Sequence, residues 1–98
     1  MKIRVARRAT LDLDEIWAYV AKSQSLDAAE RLISVITRRF SMIAKNPGIG
    51  RNRTEFRETL RSVPVGNYRI YYRHETSGIL RILSVRHAAR DEKRSGLL

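Results

Sequence analysis

This sequence predicts an α+β domain: a two-helix hairpin packed on a mainly antiparallel four-stranded sheet, in the order β-α-α-β-β-β. Three features predict it. The stretch from Leu60 to Asp91 holds three β-type runs in succession, parted by Gly66-Asn67 and by Glu75-Thr76-Ser77-Gly78. Ahead of it, Leu13, Ile16, Trp17 and Val20 recur at helical spacing, and so do Ala29, Leu32, Ile33, Ile36, Phe40 and Ile43. Neither segment is apolar all round, so both stripes must cover one face of a sheet. Before the helices, Lys2 to Ala6 alternates apolar with charged residues, and it can bury Ile3 and Val5 only by joining that sheet.

Each element has its own signals. Thr10 or Asp12 is placed to cap the first helix, which puts Asp12, Asp14 and Glu15 in the first turn, where negative charge suits the dipole. Trp17, the single tryptophan, reads as a core anchor. Ser23-Gln24-Ser25 interrupts the pattern and Ser25 offers a cap for a second helix running to about Lys45. Asn46-Pro47-Gly48 ends it, because a residue before proline avoids helical angles. So short a break between two amphipathic helices makes them antiparallel neighbours. Gly48 to Thr59, GIGRNRTEFRET, reads as a connecting loop.

The sheet follows. Leu60 to Val65 is a strand, with Pro64 near its end marking an edge position. Gly66-Asn67 is a two-residue hairpin signal, which sets Val65 opposite Tyr68, Val63 opposite Ile70 and Arg61 opposite Tyr72. Alternation then gives Tyr68, Ile70 and Tyr72 to the core face and leaves Arg69, Tyr71 and Arg73 on an open arginine–tyrosine face. Ile79 to about Arg86 is almost continuously apolar, which suits a central strand, with Leu83 and Val85 read as inward-facing. The whole chain, 1–98, reads as one domain, with 90–98 as a flexible tail.

Charge narrows the function. Twenty basic residues against ten acidic ones give a net charge of +10 and a pI near 11.1. Only four of the twenty are lysines, Lys2, Lys22, Lys45 and Lys93, so sixteen are arginines. The guanidinium fork matches phosphate and carboxylate, so the bias favours a polyanionic or acidic-peptide partner. Absence of cysteine rules out disulfides and thiolate chemistry and makes the cytoplasm the default location. No apolar run approaches a membrane span, and no membrane association is expected. His74 and His87 stand far apart with no cysteine near, so no metal is expected. The glycines of the 48–59 loop fit neither a P-loop nor a dinucleotide spacing, so no cofactor is expected either. Candidates for target binding are Arg69, Tyr71, Arg73, Arg86 and Arg90.

The segments DLDEIWAYVA, KNPGIGR, LRSVPVGNYRIYYR and ILSVRHAARD follow one another over almost the whole chain. In that order and spacing they resemble the ParE/RelE toxin superfamily, and Trp17, the Pro47 to Arg51 loop, the Tyr68 to Tyr72 strand and the His87 to Asp91 ending resemble its ParE branch. The resemblance implies the toxin of a type II toxin–antitoxin pair, neutralised by a cognate antitoxin whose C-terminal segment wraps it. Operator DNA would be met only through that antitoxin. ParE-like members poison DNA gyrase; RelE-like members cut messenger RNA on the ribosome, which is the alternative reading. For RNA cleavage the resemblance would assign Arg61, Arg69 and His87, with His87 as acid or base. Several RelE-like enzymes carry a tyrosine where Ala88 and Ala89 stand here, so that constellation is incomplete. For the ParE-like reading no catalytic residue is expected. A plain nucleic-acid-binding module would also account for the charge.

Overall fold

The computed structural model describes residues 1–53, 60–75 and 77–89. Its elements are β1 (Lys2–Val5), α1 (Arg7–Ser23), α2 (Leu26–Lys45), a 3₁₀ turn (Pro47–Ile49), β2 (Arg51–Asn52), β3 (Arg61–Val65), β4 (Tyr68–Glu75) and β5 (Ile79–His87). The expected order of helices and strands holds, but the sheet has five strands and is mixed, arranged β1-β5-β4-β3-β2. The fifth strand, β2, lies inside the stretch read as loop and pairs only Arg51 with Ser62 and Asn52 with Arg61. Two residues are too few to display a period. The parallel member is β1, aligned from Lys2 opposite Ile79 to Val5 opposite Ile82. The tail 90–98 and the stretch 54–59 lie outside the described residues.

The helix hairpin forms for reasons visible in the chain, with one exception. Ser25 caps α2 as expected, its hydroxyl accepting from the Ala28 N–H at 3.0 Å. At the other helix, neither Thr10 nor Asp12 is the cap: α1 starts at Arg7 after an extended Ala6, with no side-chain cap and no acid in the first turn. The Ala6 N–H is held instead by the Ile82 carbonyl at 2.8 Å, so the strand's last hydrogen bond fixes where the helix begins. That earlier start moves Asp12 well inside the helix and onto its buried face.

The core lies between the helix pair and one face of the sheet. Ala9, Ile16, Val20, Ala29, Ile36, Phe40 and Ile43 meet Val63, Val65, Ile70, Tyr72, Leu80, Ile82 and Val85 there. Ile36, Ile43, Ile70, Leu80 and Ile82 are fully buried; truncating any of them to alanine costs about 2–5 kcal/mol. Trp17 is half-buried at the edge of this core rather than at its centre. Its indole Nε1 donates to Glu30 Oε1 at 3.2 Å, tying α1 to α2.

The hairpin register is the one read from the sequence: Val65–Tyr68, Val63–Ile70 and Arg61–Tyr72. Within this turn Gly66 takes a positive φ, +55°, while Asn67 keeps a negative φ, so the turn needs its glycine alone. Between β4 and β5 the register slips at Tyr71/Tyr72, which face Ser84 and Ile82, leaving Leu83 as the extra residue. The bulge decides the facing of β5. Leu80, Ile82 and Val85 are all in the core, while Leu83 is half-buried outside it, so only Val85 of the expected inward pair reaches the core.

Candidate functional site

Two surfaces of the sheet carry the residues singled out by the sequence. On the face away from the helices, Arg69 stands opposite Arg86, Tyr71 opposite Ser84 and Arg73 opposite Arg81. This face is less open than alternation alone suggests. Tyr71 is 5 % exposed and is flanked in register by the equally buried Ser62 and Ser84. Long arginine stems on both sides of that row can lie against the ring. At the turn end, Glu75 takes hydrogen bonds from Arg73 at 2.9 Å and Arg81 at 3.2 Å. The Arg81 bond, then the Arg73 bond, holds the Glu75 carboxyl below its usual range. One acid therefore relieves the repulsion between two arginines that face each other directly.

The second surface is a groove of about 940 Å³ on the helix side, walled by α1, the start of α2 and the Gly66 end of the sheet. Its apolar lining includes Ile16, Val20, Leu32, Tyr68 and Val85, and its polar rim includes Arg8, Glu15, Arg86 and His87. His87 meets Tyr68 edge-to-face, with ring centroids 5.3 Å apart.

Asp12 closes the base of this groove. Its Oδ2 accepts the Val85 N–H at 3.0 Å, joining α1 to β5 across 73 residues of sequence. Its Oδ1 lies 3.6 Å from Arg8, a largely exposed partner whose contribution is small. The backbone donor is the firmer partner: β1 ends opposite Ile82, so a β5 amide pointing that way beyond Ile82 has no strand to bond. Asp12 reads in the sequence as a helix-start charge. A signal for its true place was present, since Asp12, Ile16 and Val20 follow at four-residue spacing on one helical face.

At the far end of the sheet, Tyr72 locks the 3₁₀ turn to the core. Its hydroxyl donates to the Pro47 carbonyl at 2.6 Å and accepts the Gly50 N–H at 2.8 Å. Arg61 completes this corner by donating to the Gly50 carbonyl at 2.9 Å. Burial raises the Tyr72 pKa; the Gly50 bond and the Arg61 charge oppose that rise.

These positions separate the three residues that RNA cleavage would require. Arg69 points to the outer face, whereas Arg61 and His87 belong to the helix-side face. Arg61 pairs with Tyr72 and His87 with Tyr68, four residues apart along β4 and so about 13 Å. The structure does not bring Arg61, Arg69 and His87 together. It does group Arg69, Tyr71, Arg73 and Arg86 on one face; Arg90 lies outside the described residues. Among the described residues, no three His, Asp or Glu side chains gather as metal ligands would. Nor is any described helix long and apolar enough to cross a membrane.

Comparison with known proteins gives a consistent answer. The family model for the ParE toxin of type II toxin–antitoxin systems, parDE, matches residues 3–92. A curated relative, Toxin ParE1 of Caulobacter vibrioides, is 31 % identical over 70 residues, which is 71 % of this chain and 73 % of that protein. Among solved structures, a chain of a chromosomal ParDE TA system from P. aeruginosa superposes with a TM-score of 0.78. It covers 89 % of this chain and 95 % of its own length at 17 % identity, a likeness of fold.

Proposed function

This chain belongs to the family of ParE toxins of type II toxin–antitoxin systems, and from that premise we propose that it inhibits DNA gyrase and is held inactive in the cytoplasm by a cognate antitoxin. The observation that carries the reading is the family match from residue 3 to residue 92, which leaves almost none of the chain unexplained. The target follows from what the ParE branch does. The separation of Arg61, Arg69 and His87 supports action by binding over action by RNA cleavage, because acid–base catalysis needs its groups around one phosphate. Arg69, Arg73 and Arg86, set around the covered Tyr71, give that face the charge suited to a large, partly anionic target. The antitoxin's C-terminal segment occupies the groove beside α1, where an apolar floor and a basic rim suit an acidic amphipathic chain.

The test is a supercoiling assay with purified gyrase. Adding the protein should block supercoiling, and adding the antitoxin should restore it. Undiminished supercoiling at a molar excess, together with codon-linked cuts in messenger RNA after induction, would refute the reading. In cells, His87→Gln should keep most toxicity at matched protein levels, and Arg69→Lys should be intermediate, since lysine keeps the charge but loses the fork.

A further inference from the structure

The face of the sheet away from the helices gathers positive charge in an order that the core does not require. Arg4, Arg81 and Arg73 stand side by side on three neighbouring strands, β1, β5 and β4. Arg69 and Arg86 form a second opposed pair further along β4 and β5. Arg51, opposite Ser62, holds the β2 edge of the row between them. Arg4 and Arg51 are exposed and the other four are half-buried. Against these arginines the described strands set one acid on this face, Glu75, which Arg73 and Arg81 share. Asp12, Asp14, Glu15, Asp27 and Glu30 all belong to the helices, on the other side of the sheet. Like charges directly opposite one another on neighbouring strands are destabilising. One carboxylate against three guanidiniums therefore leaves the Arg4–Arg81–Arg73 row under repulsion in the free chain.

We propose that this face binds duplex DNA through its phosphates, without reading the sequence. Charge complementarity carries the proposal, because a row of phosphates turns the repulsion within the arginine rows into attraction. The chemistry of the face decides which polyanion. Single strands are held by bases stacked on exposed aromatic rings, whereas Tyr71, the aromatic residue among the described strand residues of this face, is 5 % exposed. Contact with the backbone remains, and it fixes position without carrying sequence information. Arg69 and Arg73 are four residues apart on β4, so their rows stand about 13 Å apart. Long arginine side chains on rows at that spacing reach phosphates on both sides of a major groove about 12 Å wide. An RNA duplex, with its deep and narrow major groove, fits the spacing less well. The choice of DNA also rests on the gyrase reading above, since gyrase works on duplex DNA.

Fluorescence anisotropy with a short labelled DNA duplex tests this, beside single-stranded DNA and an RNA duplex of the same sequence. The DNA duplex should bind in the micromolar range at low salt, and a scrambled duplex equally well. Log affinity should fall with log salt at a slope of about −4 to −5, as for about four to six neutralised phosphates. Arg4→Gln with Arg51→Gln, at exposed edge positions, should weaken binding about tenfold and flatten the slope by about two. Arg31→Gln with Arg38→Gln, on the exposed side of α2, removes the same charge and should change affinity less than about twofold. Glu75→Gln should tighten binding about threefold or more, by releasing Arg73 and Arg81 to phosphate. Circular dichroism checks that each variant is folded. No duplex binding at low salt, equal weakening by the two double variants, or stronger binding of RNA or of single strands overturns the proposal. The supercoiling assay keeps it apart from the reading it builds on. Gyrase blocked by a protein that does not bind the duplex removes the DNA contact alone; duplex binding without gyrase inhibition removes the gyrase target alone.

Discussion

Asp12→Ala removes a link between an α1 side chain and the β5 main chain, and its cost can be worked out from the contact it breaks. The carboxylate is buried, at 9 % exposure for the residue, and accepts the Val85 N–H at 3.0 Å. An alanine leaves that amide without an acceptor in the wall of the core. A hydrogen bond to a charged group contributes about 1.5–3 kcal/mol, and an orphaned buried donor costs a similar amount. The Arg8 contact adds little, because Arg8 is 59 % exposed and the pair spans 3.6 Å. The expected loss is thus about 2–3 kcal/mol. For a domain of this size each kcal/mol shifts Tm by about 4–8 °C, so Tm should fall by about 8–24 °C. Asp12→Asn keeps an acceptor oxygen and should lose less than half as much. Thermal unfolding followed by circular dichroism measures both. An Asp12→Ala protein melting within about 2 °C of the parent would refute the reasoning, as would an Asp12→Asn loss equal to it.

The corner at Tyr72 gives a second test: Tyr72→Phe leaves the Pro47 carbonyl and the Gly50 N–H unpaired and should cost about 2–3 kcal/mol by denaturant titration. Gly50→Ala should be at least as harmful, because a β-carbon there would lie 2.7 Å from Tyr72 Cε1 in a fully buried ring. The same hydroxyl makes stability pH-dependent. Its folded pKa is raised by burial, so its contribution is complete below the unfolded value of about 10 and is lost as pH rises through the folded value. Tm should therefore drop more steeply above pH ~10 in the parent than in Tyr72→Phe, and parallel curves would contradict the assignment. Ser25→Ala should lower stability by about 1 kcal/mol through loss of the α2 cap, read from the same melts.

Much of the fold was legible because it depends on local patterns. The two helical stripes, the Ser25 cap, the stop at Asn46-Pro47 and the Gly66 hairpin with its register are each set by residues within a few positions of one another. The candidate site was legible in part. Alternation placed Arg69, Tyr71 and Arg73 on a common face, and the register kept them there. It could not foresee that Tyr71 would be covered, since covering depends on what the flanking strands carry, Ser62 on one side and Ser84 on the other.

The sequence by itself determined the class of the domain, the order of its elements, the strong positive charge and the likeness to ParE toxins, because propensity, period, charge and motif order are properties of the chain. Tertiary structure decided the rest. It set β1 parallel to β5, drew Arg51 and Asn52 into a fifth strand and slipped the β5 register at Leu83. It also put Arg69 and His87 on opposite faces of one sheet and turned Asp12 from a helix-start charge into the acceptor for Val85. These outcomes turn on main-chain hydrogen bonds between segments distant in sequence. The Val85 amide needs an acceptor only because β1 ends opposite Ile82, and no reading of either segment alone contains that fact.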